Sequence, residues 1–105
     1  MLCVSRVGSG RVGEILAGVN KNTTHIPSAS GAATYRIPDE LTETVIGEVK
    51  NTQRLSYTAQ LRDFAAYAEQ ENLVFNVYIR ESTKPSGPLQ AAHDAGVLNL
   101  KWILP

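Results

Sequence analysis

Two carboxylates and an ammonium lie close together in the stretch Ile37–Asn51, IPDELTETVIGEVKN. Glu48 and Lys50 are separated by one residue in a β-branched run, so on a strand both side chains leave the same face. Asp39 precedes Glu48 by eight intervening residues, a spacing that lets the chain fold back as a hairpin. A turn centred on Glu43 and Thr44 puts Asp39 directly across from Glu48, with Cβ atoms about 5 Å apart. Two carboxylates so placed repel each other unless a positive charge intervenes. A divalent cation resolves the repulsion, with Lys50 beside it. Glu43-Thr44 lacks the Asn-Gly or Asp-Gly chemistry of tight hairpins, which makes the strand pairing the weakest step of this reading.

The elements that must hold this group are legible as periodicity. Val12, Ile15, Leu16 and Val19 recur at helical spacing, which predicts a short first helix over 11–19 with Glu14 off its apolar stripe. Residues 20–33 are rich in Asn, Thr, Ser and Gly and read as a long irregular loop containing His25, a histidine best read as a surface residue. Thr34–Arg36 starts an extended piece that leads to Pro38, a residue suited to strand ends and edges. Thr44–Lys50 follows as a strand, its Val45, Gly47 and Val49 facing the core and its Ile46, Glu48 and Lys50 the other side. The strongest helix runs from Ser56 or Tyr57 to Glu71, with Leu61, Phe64, Ala65 and Ala68 as its buried stripe. Leu73–Ile79 reads as a buried strand reached by a crossover onto the same sheet. A turn at Pro85–Pro88, a short helix over Leu89–Ala95 ended by Gly96 and a final strand over Val97–Leu104 complete the chain. His93 and Trp102 are assigned to packing.

Composition narrows the class. With 105 residues, 43% of them apolar and 19% charged, the chain is sized for one globular domain spanning 1–105, with 1–10 poorly ordered around Gly8 and Gly10. Ten basic and ten acidic residues balance, so a polyanion site must be local, drawn from Lys50, Arg54, Arg62, Arg80 and Lys84. The single cysteine, Cys3, excludes an internal disulfide and fits a reducing compartment. No apolar run approaches the ~20 residues that cross a bilayer. MLCV passes straight into SRVGSGRVG without a signal-peptide core, an abrupt start that suits an excised domain.

Pro38-Asp39, eight residues and then Glu48-Val49-Lys50 resembles the PD-(D/E)xK signature of restriction-endonuclease-like nucleases. The resemblance implies an α/β mixed sheet with an αβββαβ core, here followed by an extra C-terminal helix and strand. The runs YRIPD, IGEVKN, LSYTAQLRDF and SGPLQ, between Arg36 and Leu100, further resemble nuclease toxin domains at the C-termini of bacterial polymorphic toxins, including those of contact-dependent growth inhibition. This likeness implies a metal-dependent endonuclease toxin that hydrolyses DNA. It also implies secretion or surface delivery on a larger chain, action in the target-cell cytoplasm and neutralisation by a cognate immunity protein. An RNA-cleaving toxin that cuts tRNA, and an inactive binding module that keeps the motif, are the alternatives.

Carried over residue by residue, Asp39, Glu48 and the Val49 backbone carbonyl would hold the metal, Mg²⁺ first and Mn²⁺ or Zn²⁺ next. Lys50 would position and help to deprotonate the attacking water. Glu14 matches the additional acid that many members place beside the metal, with a solvated helix carboxylate as the alternative. Gln60 matches a polar contact to substrate or water, and Asn51, Arg54, Ser56, Tyr57 and Arg62 are candidates for phosphate or base contacts. Surface packing is the alternative for each.

Overall fold

The computed structural model describes residues 22–104, without the side chain of Leu104. The helix expected over 11–19, and Glu14 with it, lie outside the described residues. Among the described residues the elements are β1 (Ile26–Pro27), β2 (Tyr35–Arg36), β3 (Glu40–Leu41), β4 (Val45–Val49), β5 (Arg54–Leu55), α1 (Ala59–Glu71), β6 (Val74–Arg80), β7 (Lys84–Pro85), α2 (Gly87–Asp94) and β8 (Asn99–Leu104).

The central sheet has the order β3-β4-β6-β8, with β3 antiparallel to β4 and the remaining pairs parallel. Each parallel step requires a crossover, supplied first by α1 and then by α2. Two-residue ladders flank the sheet: β1 with β2, antiparallel, and β5 with β7, parallel. Neither was visible as periodicity, because strands that short are set by distant partners.

Both helices start where a hydroxyl can cap them. Thr58 accepts from the Leu61 amide at 3.2 Å, so α1 begins at Ala59 and not at Ser56 or Tyr57. Asn72 ends it in the left-handed region, with φ 57°. Ser86 caps α2 by accepting from Leu89, and Pro88 fits the first turn, so this helix starts two residues earlier than its apolar pattern predicts.

The core lies between the sheet and the helices. Leu61, Phe64, Ala65 and Ala68 of α1 pack on Ile46, Phe75 and Val77, and Phe64 meets Phe75 edge-on at 6.0 Å. The face expectation for β4 is therefore corrected. Ile46 is fully buried and shares its face with Glu48 beneath α1, whereas Val45 and Val49 are only half-buried. The apolar stripe of α1 is what chose the face, and it left Glu48 at the edge of a hydrocarbon core. On the opposite face, a Cβ on Gly47 would run into the Glu40 carboxylate and lie 3.0 Å from the Tyr78 ring. Gly47 thus makes room for Tyr78 to donate to Glu40 at 2.7 Å. Burial and that carboxylate push the Tyr78 hydroxyl up to about 12.

Candidate active site

The β3–β4 register pairs Glu40 with Gly47 and Leu41 with Ile46, and one further step sets Asp39 opposite Glu48. The loop at Glu43-Thr44 reaches this register without left-handed residues, since Asn72 is the one non-glycine residue with positive φ among those described. Thr42 supplies what an Asn-Gly turn would have given. Its hydroxyl accepts from the amides of Thr44 at 3.2 Å and Val45 at 2.9 Å, and its amide donates to the Val45 carbonyl at 2.8 Å.

The two acids are clasped by each other's strand. The Asp39 amide donates to Glu48 Oε1 at 3.1 Å, and the Val49 amide donates to Asp39 Oδ2 at 2.8 Å. Each carboxylate is thereby oriented with one oxygen engaged. A residue's N–H and C=O leave a strand on the same side, so the Val49 carbonyl also points towards Asp39. Behind the pair, Pro38 is fully buried and has no amide to satisfy. Asn22 holds this backbone: its amide donates to the Asp39 carbonyl at 3.3 Å and its side chain to the Pro38 carbonyl at 3.1 Å. The loop that read as irregular therefore braces the acidic hairpin.

Lys50 completes the group. Its amide is tied to the Tyr78 carbonyl at 2.9 Å, which fixes the end of β4 on β6. Its Nζ lies 3.4 Å from Glu48 Oε2 and donates to Gln60 Oε1 from the first turn of α1. An ammonium has three donors, so two committed directions leave a third for a bound group. Glu48 is 5% exposed. Burial first, and then the Asp39 charge, push its carboxyl up to about 8, against the opposing pull of Lys50 and the Asp39 amide.

The remaining candidates separate into two groups. Asn51 is exposed and accepts from Arg80 Nε at the end of β6. Arg54 is exposed on β5, opposite Lys84. Tyr57 and Arg62 engage each other: the guanidinium sits 4.2 Å from the ring centroid and donates to the Tyr57 carbonyl at 3.2 Å. Ser56 is exposed, and its carbonyl accepts the Thr58 amide at 3.0 Å. His25 stacks on Tyr35 at 3.9 Å, while His93 Nδ1 accepts the Leu100 amide at 3.1 Å, so both have structural partners. Trp102 was assigned to packing but is 65% exposed.

Sequence reasoning missed one buried acid. Asp63 on α1 is 1% exposed and accepts from the Ser28 hydroxyl at 2.5 Å, the Ser30 amide at 2.8 Å and Arg36 Nε at 2.9 Å. A carboxylate beside the apolar stripe signals that a partner is needed; its distance along the chain hid which one.

No cluster of three or more His, Cys, Asp or Glu residues occurs among the described residues, so of these the Asp39–Glu48 pair and backbone oxygen would be left to hold a cation, with water. Among the described residues, no helix is long and apolar enough to cross a membrane. Searches of curated proteins and of solved structures return no significant match. A family model described as restriction endonuclease fold toxin 7 matches residues 10–89, which include the acidic hairpin, α1, β6 and the start of α2. The mixed sheet with its two crossover helices agrees with that fold, and the chain belongs to the restriction endonuclease fold toxin 7 family.

Proposed function

We propose that the chain is a divalent-metal-dependent endonuclease toxin that hydrolyses phosphodiester bonds in DNA. The observation that carries this is the cross-clasped Asp39–Glu48 pair beside Lys50, within a chain of this toxin family.

The donor set suits a small hard cation. Both ligands are carboxylates, each is oriented by a backbone amide, and Glu48 is buried beside a like charge that only added positive charge relieves. Asp39, Glu48 and the Val49 carbonyl would hold the ion. When bound, it supplies charge neutralisation at the scissile phosphate and lowers the pKa of a water nearby. Lys50 uses its remaining donor direction to hold the attacking water or a phosphate oxygen. Gln60 fixes the Lys50 ammonium from α1 through its side-chain carbonyl. Water then attacks phosphorus as the bond to the ester oxygen breaks, the proton it loses passing to solvent and the leaving oxygen taking one up.

Membership of a toxin family supports delivery into competing bacteria and neutralisation by a cognate immunity protein. The test is incubation of the purified chain with plasmid DNA and, separately, total RNA, in Mg²⁺, Mn²⁺, Zn²⁺ or chelator. Metal-dependent DNA cleavage abolished by Asp39→Ala is expected. Preferential loss of RNA would move the substrate to RNA, and cleavage unaffected by Asp39→Ala would sink the assignment of the site.

A further inference from the structure

Beyond the acidic hairpin, one charged arrangement has no structural account. β5 and β7 form a parallel ladder whose register sets Arg54 opposite Lys84. Like charges directly opposite each other on neighbouring strands are destabilising. Among the described residues the ion pairs are Arg36–Asp63 and Lys50–Glu48, so neither Arg54 nor Lys84 has an acidic partner there.

The ladder cannot splay to separate the two charges. The Lys84 amide donates to the Gln53 carbonyl at 2.8 Å, and the Ser86 amide donates to the Leu55 carbonyl at 2.8 Å. The Thr83 hydroxyl donates to the Thr52 carbonyl at 2.7 Å. Thr83 and Leu55 are buried, which pins both strands to the body of the protein. Arg54 and Lys84 face one concavity with Gln53 and Ser82 and adjoin a second with Ser56 and Ser86. Glu81, the one acid of the 80–86 connection, lines a different concavity with His93 and Trp102.

We propose that Arg54 and Lys84 form a phosphate subsite that grips the nucleic-acid backbone beside the cleavage centre. This rests on the nuclease reading and adds a substrate contact to it. Three residues separate Lys50 from Arg54, so over four Cα–Cα steps their Cα atoms are at most about 14 Å apart. At ~3.4 Å of rise per nucleotide of a duplex strand, the pair can take a phosphate up to about four nucleotides from the scissile one. A phosphodiester supplies the negative charge that the ladder lacks, and the surrounding hydroxyls and amide groups supply hydrogen bonds. The contact carries no base specificity.

The test is binding of the full chain to a short fluorescent DNA duplex and a single-stranded RNA. It is run in chelator to prevent cleavage, over roughly 50–200 mM salt. R54Q/K84Q should bind the duplex about tenfold more weakly, and should flatten the slope of log affinity against log salt by about 0.9, or about 0.7 for the single strand. With metal present, KM should rise while kcat holds, and Tm should stay level or increase because the like-charge repulsion is gone. The charge-keeping swap R54K/K84R should retain the wild-type slope. An unchanged slope in R54Q/K84Q overturns the subsite and leaves the nuclease reading standing. So does a swap that loses binding as fully as R54Q/K84Q, since the effect would then be structural. Normal duplex binding with lost affinity for poly-glutamate would assign the pair to an acidic protein and also overturn it. A wild-type chain that neither binds nor cleaves either nucleic acid would overturn the nuclease reading itself.

Discussion

Glu48 and Asp63 are both buried carboxylates, at 5% and 1% exposure, yet one is pushed up to about 8 and the other held down to about 2. Burial raises both. Around Asp63 it is outweighed by the Ser28 hydroxyl, the Arg36 guanidinium and the Ser30 amide. Glu48 has a longer contact to Lys50 and one amide donor, with a second acid directly opposite. The difference separates an acid whose surroundings are complete from one that still calls for positive charge. Asp63 ties the 28–36 loop to α1, whereas Glu48 faces a second acid with only Lys50 and one amide to offset it.

Removing Asp39 should have the largest effect. Asp39→Ala takes away a carboxylate proposed to hold the metal and the acceptor of the Val49 amide. Cleavage rate under saturating Mg²⁺ should fall by at least about 10²–10³-fold, with a melting temperature near that of the parent.

Asp63→Ala should show the reverse pattern, a large loss of stability. It leaves Arg36 without its buried partner, at an expected cost of roughly 3–5 kcal/mol in chemical denaturation. Activity per folded molecule should survive. Collapse of both activity and stability in either variant would erase the distinction between the two acids.

Glu48→Gln sharpens the comparison further, because it should stabilise the metal-free protein at pH 7 by about 2–3 kcal/mol while abolishing cleavage. The sign follows from linkage. A carboxyl raised from 4.5 to about 8 favours folding below pH 4.5, and that advantage is lost as pH rises through about 8. Asp63 works oppositely: lowered from 3.8 to about 2, it contributes above pH 3.8 and loses that contribution as pH falls through about 2. Metal-free melts from pH 3 to 9 should therefore decline between about pH 4.5 and 8 in the parent and less so in Glu48→Gln. Identical profiles over that window would contradict the role given to Glu48.

Gln60→Ala should have the smallest effect, about tenfold in cleavage rate, since Gln60 acts by fixing Lys50. Its effect should largely vanish in a Lys50→Met background, a coupling that a double-mutant cycle measures.

The acidic hairpin was legible because its two acids are equidistant from one turn, so the position of Glu43-Thr44 alone sets the register. What the sequence hid was the Thr42 hydroxyl doing the work of missing turn residues, a tertiary choice among several local hydrogen bonds. The stripe Leu61, Phe64, Ala65 and Ala68 announced α1, but not which face of β4 it would cover. Ile46 and Glu48 alternate correctly with Val45 and Gly47 for either answer. Arg54 and Lys84 are 30 residues apart in the sequence, and only the folded β5–β7 register makes them neighbours. Asp63 and Arg36 were hidden in the same way.

The central claim is that the burial and repulsion around Glu48 are answered by a cation shared with Asp39. Site-resolved NMR titration of the Glu48 side-chain carboxyl, without metal and with saturating Mg²⁺, tests it directly. Without metal the carboxyl should titrate near 8, and with Mg²⁺ its titration should fall back towards the ordinary 4.5. A titration that Mg²⁺ leaves unmoved would contradict the account.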